Sequence, residues 1–246
     1  MEFDQVADAV RGIPIMTLAQ GRAIYDHVIK TRPEQVLELG TAHGVSAAYI
    51  AAALDENGSG HLTTLDRTSA GYEPGPDEVL RRAGLQSRVS VIVRADSSYD
   101  WYLKEQVQSR SNDAGFCEPI YDLCYLDGAH DWMIDGLAVV LVEKLLRSDG
   151  WLILDDLTWL PPQSSADALG YSVAERAEPH MKAIFDLIIK QSPNFTELRL
   201  EPDLDWAWAC KKPGQPARLT IDTNRSLRGI LLLRLREFIR RPRASA

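Results

Sequence analysis

Five aspartates stand where an apolar run ends and a turn begins. They are Asp66 after His61-Leu-Thr-Thr-Leu, Asp96 after Val-Ile-Val-Arg-Ala, Asp127 after Tyr121-Asp-Leu-Cys-Tyr-Leu, and Asp155-Asp156 after Trp151-Leu-Ile-Leu. Short apolar runs bounded by turns read as strands buried on both faces. In a parallel sheet the carboxyl ends of the strands share one edge, and ligands bind there. Asp127, Asp155 and Asp156 end two successive strands and can meet at one point. Three carboxylate oxygens, completed by waters or substrate hydroxyls, suit octahedral Mg²⁺. Such an ion lowers the pKa of a bound hydroxyl and orients it. Without a cation the same acids repel one another. The plain alternative is that Asp155-Asp156 caps the segment that follows. His130 lies three residues beyond Asp127. A neutral imidazole, with an ordinary pKa of about 6.5, can take a proton at neutral pH. Its plain alternative is a loop histidine bonded to Asp131 or to backbone.

The stretch that positions these groups is Val36-Leu-Glu38-Leu-Gly40-Thr41-Ala-His43-Gly44. It reads as a strand ending in an acid, then a tight turn, then a helix. Gly40 and Gly44 omit Cβ where the chain bends and a ligand approaches the backbone. The helix that follows presents unpaired N–H groups and its positive end to an anionic group above the turn. A third glycine, needed for the dinucleotide fingerprint G-x-G-x-x-G, is missing, which disfavours an NAD-dependent dehydrogenase. Asp66 comes 22 residues after Gly44, where doubly wound folds place an acid that accepts from ribose hydroxyls.

Strands are expected at 35–39, 61–66, 88–96, 121–127 and 151–156, with helices at 45–54, 74–83, 99–109 and 134–146 between them. Ser148-Asp149-Gly150 is expected to turn the chain into the fifth strand. This alternation predicts a Rossmann-like doubly wound α/β fold in three αβα layers, its sheet mostly parallel with right-handed crossovers. Ahead of it, residues 3–10 and a helix from the capping box Thr17-Leu-Ala-Gln20 to about Lys30 should add two helices, with Leu18, Ala23, Tyr25 and Val28 buried. Behind it come one helix at about 175–190 and strands near 195–200 and 206–210. Trp206 and Trp208 share a strand face and are assigned to the core. The expected organisation is residues 1–34 as N-terminal helices beside the acceptor site, 35–212 as the cofactor-binding domain, and 213–246 as a linker and basic tail.

The acid two residues before Gly40, the second glycine at Gly44, the strand-two acid Asp66 and the paired acids Asp155-Asp156 together resemble class I S-adenosylmethionine-dependent methyltransferases. The likeness spans about residues 17–212 and is narrowest to catechol O-methyltransferase-like enzymes and the metal-dependent sugar and natural-product O-methyltransferases. It implies an antiparallel final strand pair. It also implies that Glu38, Gly40, Thr41, His43 and Gly44 hold the methionine part of S-adenosylmethionine, that Asp66 holds its ribose, and that Asp96 and Ser97 border its adenine, with Asp127 beside the cofactor. Asp127, Asp155 and Asp156 are then the Mg²⁺ ligands, and His130 occupies the position of the catalytic lysine of the catechol family. Asp156 stands where the catechol enzymes carry Asn, a departure shared with the sugar-modifying relatives. The implied activity is methyl transfer to a hydroxyl of a small molecule such as a sugar, phenol or natural product. Competing readings are a metal-independent O- or N-methyltransferase, a related metal-site hydroxylase, and a non-catalytic cofactor-binding module. Trp132, Trp159, Pro161, Pro162 and Tyr171 are candidate walls of the acceptor pocket.

Charge and cysteine use narrow the setting. The 246 residues carry a net charge of −8, with +6 in residues 213–246 and −14 in the remainder. An acidic body offers nucleic acid no electrostatic footing. Three cysteines without a C-x-x-C pair point to a reducing, cytoplasmic compartment rather than a disulfide or zinc framework. The acidic start of the chain has no secretory pattern. In Ser226–Arg241, Leu231, Leu235, Phe238 and Ile239 fall on one side of a helical spacing, with arginines largely elsewhere. That segment is expected to pack on the acidic body or on a second subunit of a homo-oligomer, in preference to a membrane surface.

Overall fold

The computed structural model describes residues 1–161 and 170–213. Seven strands, β1 (Gln35–Leu39), β2 (His61–Asp66), β3 (Val89–Val93), β4 (Tyr121–Leu126), β5 (Leu146–Leu154), β6 (Phe195–Glu201) and β7 (Trp206–Lys211), form one sheet. Their order is β3-β2-β1-β4-β5-β7-β6. β1 to β5 run parallel, and β7 lies antiparallel between β5 and β6. The order reverses between β1 and β4, the switch point at which open α/β sheets bind ligands.

Helices cover both faces. On one side lie α1 (Phe3–Ala9), α2 (Leu18–Thr31), α3 (Val45–Asn57) and α4 (Pro76–Ala83); on the other α5 (Tyr99–Arg110), α6 (Trp132–Leu145) and α7 (His180–Ile184). α3 is apolar all round and buried from Val45 to Leu54, as expected for a helix sandwiched between the sheet and α1, α2 and α4. Trp206 and Trp208 are buried in the core of the first side. The capping box at α2 is formed: Gln20 N donates to Thr17 Oγ1 at 3.2 Å and Thr17 N to Gln20 Oε1 at 2.9 Å.

Three local expectations are corrected. Leu18 is 62% exposed: it keeps the spacing of the buried Gly21, Tyr25 and Val28, but it is the first residue of α2 and lies at the helix end. Ser148-Asp149-Gly150 is not a turn before the strand but part of β5, whose pairing with β4 shifts register between Tyr121 and Leu123. The single helix expected at 175–190 is broken. A 3₁₀ turn spans Glu175–Ala177, Pro179 caps α7, and the chain continues as a π-helix over Phe185–Ile189. Proline lacks the N–H a continuing helix needs and holds the preceding residue out of the α region. Pro162 and Ser226–Arg241 lie outside the described residues. Among those described, no helix is long and apolar enough to cross a membrane.

Candidate functional site

The site begins at the β1–α3 turn. Gly40 has φ +100°, and a Cβ on it would lie 1.7 Å from the backbone oxygen of Asp127. The tips of β1 and β4 therefore touch through a glycine that no other residue can replace without movement. Gly44, at φ +81°, enters α3 with no side-chain cap, leaving the first N–H groups of the helix to face the turn. Glu38, directly beneath, is fully buried and accepts from the Thr64 hydroxyl, while its Oε1 has no hydrogen-bond partner. Burial pushes its pKa up to about 8, with Asp127 and Asp66 adding to the rise and the nearby Ser46 and Thr64 hydroxyls opposing it.

A raised pKa in the native state means that the folded chain binds the proton more tightly than the unfolded one. Stability is then greatest below the unfolded value and declines as pH climbs through the folded one. Urea midpoints are expected to fall between about pH 5 and about pH 8, and Glu38→Gln is expected to flatten that slope. An unaltered slope in Glu38→Gln would show that Glu38 ionises freely in the native protein.

Asp66 reaches back over the turn. Its Oδ2 accepts from Thr41 N at 3.0 Å and Ala42 N at 2.9 Å, and its Oδ1 from Arg67 N at 2.7 Å. The expected ribose acid thus also pins the glycine turn. Asp66→Ala removes the pin on the turn together with the expected ribose contact, and hydrogen bonds to a charged acceptor are worth enough to lower S-adenosylhomocysteine affinity about 10- to 100-fold. Calorimetry that finds the affinity unchanged would take Asp66 out of the site.

His43 holds Pro74 O at 2.8 Å through Nδ1 and meets Tyr72 edge-on, its ring centroid 5.0 Å away. With Thr41 it lines a narrow cleft over the turn, closed on the far side by Pro14, Ile15 and Met16. At the β3 tip, Asp96 is exposed and lies 3.6 Å from Arg94. The hydroxyl of Ser97 is buried without a partner, and so is Oδ1 of Asp100. Burial, together with Asp135, pushes the Asp100 carboxyl up to about 6. Two orphaned buried oxygens here, an orphaned Glu38 oxygen and a cradle that excludes Cβ at Gly40 fit a ligand with polar groups at both ends.

At the tips of β4 and β5 the structure brings together Asp127, His130 and Asp156. One ligand atom from each lies within 4.8 Å of the others. His130 Nε2 sits 3.1 Å from Asp127 Oδ1 and 3.3 Å from Asp156 Oδ2, and its ring lies 5.1 Å from that of Trp159. Burial alone would lower the His130 pKa; the Asp127 hydrogen bond and the charges of Asp127 and Asp156 outweigh it, and the pKa is raised. Burial, with Asp127 close by, also raises Asp156.

Asp155, expected among the metal ligands, is not in this group. Its carboxylate is 4% exposed, accepts from the Tyr125 hydroxyl and from Asp156 N, and has its pKa raised by burial and by Asp127. Successive side chains at a strand tip point to opposite sides; here Asp155 turns into the core and Asp156 toward His130. The cluster that the structure brings together is therefore Asp127–His130–Asp156, with Asp155 of the expected set outside it.

Several residues that hold this centre give no signal in the sequence. The Tyr99 hydroxyl donates to Asp135 and accepts from Ala129 N at 3.1 Å, and Asp135 accepts from Asp131 N at 2.7 Å. Asp131 caps α6 by accepting from Met133 N and Ile134 N. This network fixes the loop from Gly128 to Asp131 that carries His130. Asp135 sits in an apolar helix and Tyr99 opens an unrelated one, so only their spatial meeting reveals them. Backbone strain marks the same place. Ile15, Ala42, His130 and Asp156 all have positive φ, a conformation that non-glycine residues adopt at sites the surrounding structure over-determines. Of the candidate acceptor walls, Trp159 faces His130, while Trp132 and Tyr171 lie against His180.

Residues 37–157 match a family model described as a methyltransferase domain. No curated protein sequence matches the chain. Among solved structures, the O-methyltransferase from Bacillus cereus in complex with S-adenosylhomocysteine (SAH) is 18% identical, with a TM-score of 0.60, covering 86% of this chain and 92% of that one. The SAH-bound methyltransferase PaMTH1 of Podospora anserina is 16% identical, with a TM-score of 0.60 over 86% and 87%. TomG from Streptomyces achromogenes, an O-methyltransferase involved in tomaymycin synthesis and solved with S-adenosylmethionine, is 17% identical, with a TM-score of 0.55 over 86% and 89%. At such identities the likeness establishes a shared fold, and the family match lies on the stretch that builds the glycine turn and the tips of β2, β4 and β5. Residues 37–157 are thus similar to a methyltransferase domain, on a fold the chain shares with these methyltransferases.

Proposed function

We propose that this protein is an O-methyltransferase acting on a hydroxyl of a small molecule, assisted by a divalent cation. The observation that carries the proposal is the Asp127–His130–Asp156 cluster beside the glycine turn. Glu38, Thr41 and the start of α3 would hold the amino-acid part of S-adenosylmethionine, Asp66 the ribose, and Ser97 the adenine edge. When bound, the cofactor supplies an electrophilic methyl group. Asp127 and Asp156, with His130 between them, would hold the cation, whose charge lowers the pKa of a coordinated hydroxyl. Two carboxylates suit Mg²⁺ or Mn²⁺, and an imidazole in the set shifts preference toward Mn²⁺ and later metals. Trp159, packed on His130, would shield the reacting oxygen from water.

A second reading has its own observation. His130 is bonded to Asp127 and its pKa is raised, so it can act as the general base without a metal, Asp127 orienting the ring. The proton of the acceptor hydroxyl then passes to His130 as the oxygen takes the methyl. Titration of the SAH-loaded protein with Mn²⁺, followed by electron paramagnetic resonance, separates the two. Saturable binding that is lost in Asp156→Ala supports the metal reading and directs the search to acceptors with neighbouring oxygens. No binding supports the second and widens the search to acceptors with one hydroxyl. Product mass tests both: a gain of one CH₂ is methyl transfer, and a gain of one oxygen is the hydroxylase alternative.

A further inference from the structure

One buried side chain touches both the segment expected at the adenine and the loop that carries His130. Tyr99 is the first residue of α5, directly after Ser97 and Ser98. An added Cβ on Gly128 would come 2.5 Å from its hydroxyl, so the loop backbone rests on the phenol. The hydroxyl accepts from Ala129 N at 3.1 Å and donates to Asp135, which accepts from Asp131 N at 2.7 Å. The residues on either side of His130 are therefore held by this hydroxyl and the carboxylate bonded to it. His130 itself has φ +53°, a conformation that a non-glycine residue keeps where its neighbours fix it. The other end of the link is unsatisfied. Ser97 Oγ and Asp100 Oδ1 are buried without a partner among the described residues, and Ser98, the N-cap of α5, makes no capping hydrogen bond. Tyr99 stands between these groups in the chain. Buried oxygens without a donor cost stability, and a donor that reaches them returns it.

We infer that Tyr99 is a positioning residue that couples the adenine edge to His130. A donor that satisfies Ser97 and Asp100 fixes the start of α5, and Tyr99 carries that order to residues 129–131. The inference rests on the methyltransferase reading, which supplies the donor as the adenine amino group. Both routes to a deprotonated acceptor use His130 beside Asp127 and Asp156, so both depend on this hold.

Carbethoxylation of histidines by diethyl pyrocarbonate at fixed pH, read residue by residue in the mass spectrometer, tests this in the full chain. His130 Nε2 reacts when it leaves Asp127 and Asp156. His61, at the far end of β2 from the site, is the internal control. Saturating S-adenosylhomocysteine is expected to slow labelling of His130 relative to His61 about five- to tenfold in the unaltered protein. Tyr99→Phe keeps the ring and loses the hydroxyl. There His130 is expected to react about tenfold faster than in the unaltered protein, and S-adenosylhomocysteine, still bound, no longer slows it. Tyr102→Phe, on the same helix and bonded to the Tyr121 hydroxyl, is expected to change neither rate. Protection that persists in Tyr99→Phe is direct shielding by the ligand and overturns the coupling. An unaltered His130 rate in Tyr99→Phe overturns it too, as does an equal rise at His61, which is general loosening. Should Tyr99→Phe fail to fold, Gly128→Ala displaces the same hydroxyl and is read in the same way. Calorimetry keeps the two failures apart. S-adenosylhomocysteine that does not bind the unaltered protein removes the methyltransferase reading and this inference with it, whereas bound ligand with His130 unprotected removes the coupling alone.

Discussion

Asp127→Asn is expected to reduce turnover by about two to four orders of magnitude while leaving SAH affinity within a few-fold. Asparagine keeps the size of the side chain, and the backbone of residue 127 keeps its bond to Leu39 O and its contact with Gly40. What it loses is the negative charge. A neutral amide oxygen holds a divalent cation more weakly than a carboxylate, and it no longer favours the charged form of His130, which Asp127 holds 3.1 Å away. Both routes to a deprotonated acceptor fail together, so the loss does not depend on which operates. The measurement is kcat with saturating S-adenosylmethionine, with and without Mg²⁺, alongside calorimetry of SAH. Full activity in Asp127→Asn would remove the β4 tip from the chemistry. A loss of SAH binding equal to the loss of rate would recast Asp127 as a cofactor residue alone.

Gly40→Ala is expected to cost on the order of 3 kcal/mol or more of stability and to abolish SAH binding. Two penalties coincide. The backbone at φ +100° is one that alanine rarely adopts, and the added methyl meets the Asp127 carbonyl, which belongs to a neighbouring strand and cannot rotate away. Relief requires β1 and β4 to part at their tips, and that displaces Asp127 from His130 and the Thr41 and Ala42 N–H groups from Asp66. The urea midpoint and a cofactor titration are both informative. A midpoint equal to that of the unaltered protein would mean that the strand tips yield easily and that the contact is not what holds the site.

The order of strands and helices was legible because each signal is local. Apolar runs of five or six residues, glycines at the turns and a proline at the start of α4 act through the backbone of their own segment, and β1, β2, β4 and α2 lie where these features put them. The break at Pro179 was equally local but competed with the apolar spacing on either side. The seventh strand's place between β5 and β6 follows from no single segment. The extra reach of β5 back to Leu146 is likewise a pairing effect: Leu146 pairs with Tyr121, and residues 147–150, with Asp149 in the left-handed region, bulge out before pairing resumes at Trp151.

At the site the same division holds. From sequence alone come the glycine turn, the acids at the carboxyl ends of the strands and the histidine that follows Asp127, because strand-end position is a property of local pattern in a parallel sheet. Tertiary structure decided which of them meet. Asp155 and Asp156 are neighbours with the same chemistry; Tyr125, from the adjacent strand, draws the first into the core, and the left-handed backbone of the second turns it to His130. The loop that carries His130 is set by Tyr99 and Asp135, 36 residues apart in the chain. Side-chain direction at a strand tip depends on what the neighbouring strand and helix leave room for, and that is a property of the packed molecule rather than of any stretch of its sequence.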